Sequence, residues 1–391
     1  MTNDPFFSPG DNWEWNACIG DQGDEQYYIN GYIEAAIELV DAIFEKKLYG
    51  KRDTLVLPIL YNARHAIELA LKMAIRELKG MGVLNSAPLK NHDILAHWRH
   101  LDSSNLGDEW LKKIVAEIKP FVLSLAQIDE DGQEFRYHET RDGDRSLRGQ
   151  SVANLAVIRE SLNLLQEALK SLMHRLYCLD SERKGGFFTP DLSRNDLVRI
   201  ASSLPDRDDW NTPQFDCVKE DNMIRYSIGA RKYAEALKLI QQNRETRGLI
   251  GMETVLRYLS DDKARLLTEK HLALWPPPKE GSKPRIIKAS EINYEAMTQA
   301  SGRERGAIQE LLDQLSCQEI ADVSVAFHIG LLHEIPEIYE VLLDTKLETL
   351  KTRKSAEAEL IHVFRKSNFR VDLAHGLQRL GRIQLARELL R

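Results

Sequence analysis

Five side chains able to hold anions or move protons recur along one stretch of the chain: Tyr61, Arg64, His65, Glu68 and Lys72. On a helix predicted over residues 57–78 they fall within an arc of roughly 100°. The rest of that cylinder is apolar, with Ile59, Leu60, Ile67, Leu71 and Met73 among its residues. A helix this apolar must be surrounded by other elements, so its polar stripe faces either solvent or a cleft. On a solvated face Arg64, Glu68 and Lys72 form an i,i+4 charge ladder worth about a few tenths of a kcal/mol per pair. That ladder leaves Tyr61 and His65 unexplained. In a cleft, Arg64 or Lys72 would hold an anion and His65 would move a proton near neutral pH. Arg64, His65 and Glu68 are therefore the candidate catalytic residues, with Tyr61 and Lys72 as candidate ligand contacts.

A second cluster follows in Phe135, Arg136, Tyr137, His138 and Glu139, then Arg141, Arg145 and Arg148. Arginines fork on phosphate oxygens and aromatic rings stack on bases, so Arg136, Tyr137, His138 and Arg141 are candidate ligand contacts. The same arginines could instead pair with Asp129, Glu130, Asp131, Asp142 and Asp144 nearby. No metal site or cofactor is expected. His92, His97 and His100 have no Cys or carboxylate at a familiar ligand spacing, and there is no Gly-rich phosphate loop, nucleophile elbow or paired-cysteine zinc pattern. Arg370 and His375 point about 140° apart on a straight helix and read as incidental.

The elements that must position these residues are helical. Of the 391 residues, 43% are hydrophobic and 29% charged, as in ordinary soluble globular proteins. No apolar run approaches the roughly 20 residues that span a bilayer, and the acidic start lacks the basic and apolar regions of a signal peptide. A cytoplasmic protein is expected. Its four cysteines are spaced too far apart for a ligand pair and read as reduced, buried thiols. Ten Asp and Glu precede the first cation, Lys46, whereas residues 351–391 hold ten Lys and Arg against four Asp and Glu. The basic end could contact phosphates, form solvated helix faces, or dock on the acidic end.

Residues 1–24 read as an irregular acidic arm that Trp13 and Trp15 could pin to a surface. Residues 25–180 read as a bundle of four principal helices and a short one, and 186–275 as a helical middle region with one helix over 252–274. A Pro-rich linker over 276–289 and a helical C-terminal domain over 290–391 complete the chain. Within that last domain, 326–343 with a break at Pro336 and 374–390 with a break near Gly381 suggest helix-hairpin repeats.

The strings YYINGYIEAAIELVDAIF from residue 27 and RDTLVLPILYNARHAIELALKMAI from residue 52 carry a further signal. With NHDILAHW, the DEDGQEFRYHE loop and the Leu-rich helix after it, they resemble uncharacterised bacterial members of the HEPN superfamily of helical-bundle domains. The resemblance covers about residues 25–175. It implies a four- or five-helix bundle that often dimerises, and a place in antiviral defence or toxin–antitoxin systems. Many members resemble metal-independent ribonucleases, in which an Arg and a His four residues apart share a site at a dimer interface. Here Arg64 and His65 are adjacent, the spaced pair Arg370 and His375 lies outside the matched region, and His138 stands where a Pro usually follows Phe-Arg-Tyr.

The sequence thus leads us to expect an all-α homodimer that binds, and as an extension cleaves, RNA or another nucleotide ligand. The alternative expectation is a non-catalytic adaptor whose C-terminal helices bind a protein partner. Neither reading involves a membrane.

Overall fold

The computed structural model describes residues 6–7, 11–139, 143–150, 152–276 and 294–391. Among them the fold is all-α, with sixteen α-helices and one isolated antiparallel bridge between Glu139 and Arg145. No single helix among the described residues is long and apolar enough to cross a bilayer. The chain divides into two compact units, residues 1–181 and 182–391.

In the first unit, α1 (Glu25–Glu45) begins where the Asp24 carboxylate accepts from the Tyr27 backbone N–H. Its Ile29, Ile33, Ala36, Val40 and Ile43 follow helical spacing and are all buried against α2. The helix α2 (Arg52–Gly80) starts at residue 52 rather than 57, so Pro58 sits in its second turn and removes one intrahelical bond. The helices α3 (Ile94–Asp102) and α4 (Glu109–Ile128) are capped by Asp93 and Asp108, whose carboxylates accept from the backbones of Ala96 and Leu111. Asp108 also takes both arms of Arg175 from α5 (Leu155–Lys184), a buried bidentate pair at 3.0 and 2.7 Å. The Trp98 indole donates to the Val115 carbonyl at 2.8 Å, so side chains tie α3 to α4 and α4 to α5.

Two expectations for single residues change here. Trp13 and Trp15 pin nothing, being 79% and 83% exposed. None of the cysteines is in a disulfide, but Cys18 and Cys217 are exposed and Cys178 and Cys317 half-buried, so none is a core thiol.

In the second unit, α6 (Arg194–Ser203), α7 (Pro213–Arg225), α8 (Ala230–Ile240) and α9 (Arg244–Leu249) surround a core running from Phe187 to Ile250. A second core is shared by α10 (Asp261–Leu274), α11 (Tyr294–Gln314), α12 (Cys317–Leu332), α13 (Tyr339–Thr349), α14 (Arg353–Phe364), α15 (Phe369–Arg379) and α16 (Ile383–Leu390). The helix predicted over 252–274 starts only at Asp261. The preceding run is irregular because Tyr258 and Leu259 give their backbone N–H groups to the buried Asp322 carboxylate, at 2.9 Å each. Asp322 also accepts the Tyr339 hydroxyl at 2.7 Å. Leu256 and Leu267 therefore belong to the core of the C-terminal helices. Beyond Pro276 the proline run lies outside the described residues.

The two sequence breaks mark real turns: α12 gives way to α13 across His333–Ile338, and α15 to α16 at Gly381, whose φ of +78° suits glycine. The helix α12 is buried around most of its circumference, which explains its unpatterned apolar sequence. It meets α15 through two glycines. A Cβ on Gly330 would lie 1.8 Å from the Asp372 carbonyl oxygen, and one on Gly376 would lie 1.8 Å from that of Ala326. The basic C-terminal charges largely serve internal contacts. Arg353 pairs with Asp313, Arg365 with Glu304, and Arg382 with Glu253 and Asp261, while Arg370 and Arg379 donate to the carbonyls of Leu389 and Glu334.

Gly330→Ala is accordingly expected to destabilise the protein by about 1–3 kcal/mol, because the obstacle is backbone and cannot change rotamer. Gly302→Ala, where a Cβ meets nothing within 4 Å inside α11, should be neutral or stabilising by up to about 1 kcal/mol. Urea unfolding followed by circular dichroism checks both, and equal midpoints would remove the backbone-contact account.

Candidate functional site

The stripe on α2 divides into a buried half and an exposed half. Arg64 and Glu68 are 1% and 3% exposed, so two of the three catalytic candidates do not line a cleft. Two chain segments cover them: the turn before α3 and the loop after α4. The Arg64 guanidinium donates Nε–H to the Asp129 carbonyl at 2.8 Å, and Nη2–H to the carbonyls of His92 and Glu130 at 2.6 and 2.9 Å. Its Nη1 reaches Glu68 Oε2 at 3.2 Å, and Nε lies 3.5 Å from the fully buried Asp129 carboxylate. Two carboxylates beside one buried cation, with carbonyls filling its other donors, is the arrangement that makes a buried arginine tenable. Gly132 closes the loop over it: φ is +80°, and a Cβ there would lie 2.9 Å from Arg64 Nη1.

Glu68 turns its other oxygen outward. Oε1 accepts from Lys72 Nζ at 2.7 Å and lies 2.8 Å from His92 Nδ1. Burial acts to raise the Glu68 carboxyl, but the hydrogen bonds and charges of Lys72 and His92 outweigh it and hold the group below the usual glutamate value. The ionised carboxylate can only accept, so His92 Nδ1 carries a proton. His92 is exposed, so Glu68 engages it through Nδ1 on the inner side of the ring. A carboxylate that fixes the tautomer of an exposed imidazole is a familiar support for proton transfer.

His65 is placed differently. Its Nδ1 lies 4.0 Å from Glu68 Oε2, beyond hydrogen-bond reach. The ring stacks on Tyr61 with centroids 5.7 Å apart, and meets Tyr32 edge-on at 4.5 Å. Burial, aided by the charges of Arg64, Arg136 and His92 and opposed by Glu68, lowers the imidazole below its ordinary value and keeps it neutral.

The second cluster comes to the same side of α2. Arg136 Nε–H donates to the Gly132 carbonyl at 2.6 Å, and its guanidinium lies 5.6 Å from the Tyr61 ring and 5.4 Å from the Tyr137 ring. Arg136, Tyr137 and His138 are exposed and line a cleft of about 580 Å³ with Arg145 and Arg148. They flank the covered stripe rather than closing over an open one. Arg141 lies outside the described residues. Of the acidic partners proposed for the loop arginines, Asp144 stands 3.9 Å from Arg148, and Asp129 is taken by Arg64. Among the described residues no group of three or more His, Cys, Asp or Glu is arranged to hold a metal ion.

Arg370 donates to a backbone carbonyl of α16, a structural contact. His92, Asp129 and Tyr32 are the participants that spacing alone did not reveal. The usable signal was the Asn-His-Asp run before α3, since an Asp cap fixes where the preceding residue must lie. No family model, curated protein or solved structure matches this chain.

Replacing Arg64 by Met strands Glu68, Asp129 and three carbonyls, and should cost about 3–5 kcal/mol. The depressed groups give the pH dependence a sign. His65, and the buried His97 whose value burial also lowers, take protons first in the unfolded chain. Stability should therefore decline as pH drops below 6.5, their ordinary value. Glu68 adds a second loss further down, as pH falls through its depressed value. Urea midpoints measured from pH 7.5 to 4 check this, and a flat profile would contradict the assigned directions.

Proposed function

We propose that the first unit is an HEPN-like bundle that binds RNA or another nucleotide ligand on the surface beside α2, in a defence- or toxin-type setting. The observation that carries this reading is the exposed His92 imidazole held by the ionised Glu68 carboxylate, with the cluster of Tyr61 on α2 and Arg136 and Tyr137 on the loop after α4. Arginine and aromatic rings suit phosphates and bases. Arg64 and Glu68 act from below by fixing the loop and the imidazole, and touch no ligand. Where binding leads to cleavage, His92 Nε2 accepts the ribose 2′-hydroxyl proton. The 2′-oxygen then bonds to phosphorus as the bond from phosphorus to the 5′-oxygen breaks, and the 5′-oxygen takes a proton from water, giving a 2′,3′-cyclic phosphate and a 5′-hydroxyl. Arg136 stabilises the charge that develops on the phosphoryl oxygens.

Fluorescent single-stranded RNA, incubated with protein and chelator, separates the roles. Arg136→Ala should weaken binding about tenfold. His92→Ala should retain binding and lower any cleavage by roughly 100-fold or more, whereas His65→Ala should act mainly on stability. If wild-type protein neither retains nor cuts RNA, the reading fails; if cleavage survives His92→Ala, the proton-transfer assignment fails.

The same bundle supports a homodimer. An uncharged groove of about 280 Å³ between α2, α4 and α5 has Val157 in its wall, and Val157 and Leu164, two turns apart on one face of α5, are each 61% exposed. Knobs next to a hole on one face are self-complementary under a two-fold axis. Light scattering should give twice the chain mass for wild type and a monomer for Leu164→Glu; an unchanged mass would rule this face out.

A further inference from the structure

The second unit carries a groove of about 350 Å³ between α12 and α13, well away in sequence from the nucleotide surface. Its walls follow helical spacing on both sides. Val325, His328 and Leu332 lie at i, i+3 and i+7 on α12, while Ile338, Leu342, Thr345 and Thr349 repeat at three or four residues along α13 and the turn before it. Two such ridges bounding a trough are what one helix offers to another. The helix α13 buries Tyr339 and Leu343 fully and packs Leu342 and Leu347 partly against the core, and Leu342 together with Ile338 also faces the groove. At 1.5 Å per residue the α13 wall runs about 16 Å, or three helical turns. Leu332 stands 62% exposed at the rim, beside Leu331 at 36%.

The polar groups narrow the occupant. Lys346 Nζ donates to Glu359 Oε1 at 2.8 Å, which cancels its charge. His328 turns Nδ1 to the Ser324 carbonyl at 2.7 Å. The Glu334 carbonyl is taken by Arg379, but its carboxylate, at one end of the trough, has no ion pair among the described residues. The groove is thus apolar along its length and carries one unmatched negative charge at an end.

We infer that this groove is a docking site for an amphipathic helix of a partner protein. That helix is about three turns long, with apolar anchors at i, i+3 or i+4, and i+7, and a lysine or arginine beside Glu334. The inference is independent of RNA binding by the first unit.

A displayed library of helix-forming peptides of about 16 residues, selected on the full chain, tests it. Enriched sequences should share the apolar spacing and a terminal cation. A labelled representative should bind at least tenfold more weakly to Leu332→Glu, an exposed position whose variant should fold normally by circular dichroism. Glu334→Lys should weaken binding, and exchanging the peptide cation for Glu should restore it. Selection without this pattern, or peptides indifferent to both Leu332→Glu and Leu342→Glu, would overturn the inference. So would a concentration-dependent mass abolished by Leu332→Glu, which would assign the groove to a second copy of the chain. Unaltered RNA retention in Leu332→Glu keeps this outcome separate from the nucleotide reading.

Discussion

A guanidinium taken out of water must find partners for its donors and a counter-charge, and Arg64 finds both by drawing two distant segments onto α2. The His92 carbonyl comes from the turn before α3, and the Asp129 and Glu130 carbonyls from the end of α4. Burying that charge is costly unless every partner stays in place. The path of both segments is therefore set by one side chain. The positions of His92 and Arg136, both exposed, follow from it. The exposed chemistry of the first unit depends on a residue that never reaches the surface.

Charge balance extends the same constraint outward. Glu68 faces Arg64 with one oxygen and Lys72 and His92 with the other, so an inner and an outer cation share a single carboxylate. This keeps Glu68 ionised despite its burial and gives His92 a defined tautomer. His65, one residue from Arg64, lacks that support and rests between two tyrosine rings instead.

Periodicity made much of this fold legible. The apolar repeats of α1 and α2, the aspartates before α3 and α4, and the glycine and proline breaks near residues 336 and 381 each have a local physical cause. The stripe was legible as a stripe, because angular position follows from spacing alone. What covers a helix face does not. Arg64 looks like an exposed ladder cation until residues 92 and 129–130 are placed beside it, and those contacts span 28 to 66 residues of chain. For the same reason the run before α10 passed as helix: its backbone donors are claimed by Asp322, some 63 residues later.

The glycine crossing of α12 and α15 has a mechanical meaning. Side chains that pack against one another can change rotamer and let two helices slide, but a backbone carbonyl against a Cα offers no such adjustment. Shifting either helix by one residue would drive a Cβ into the opposing main chain, so their register is a fixed point. The elements around it, including the α12 end that forms one wall of the groove, can rearrange only by pivoting about that crossing.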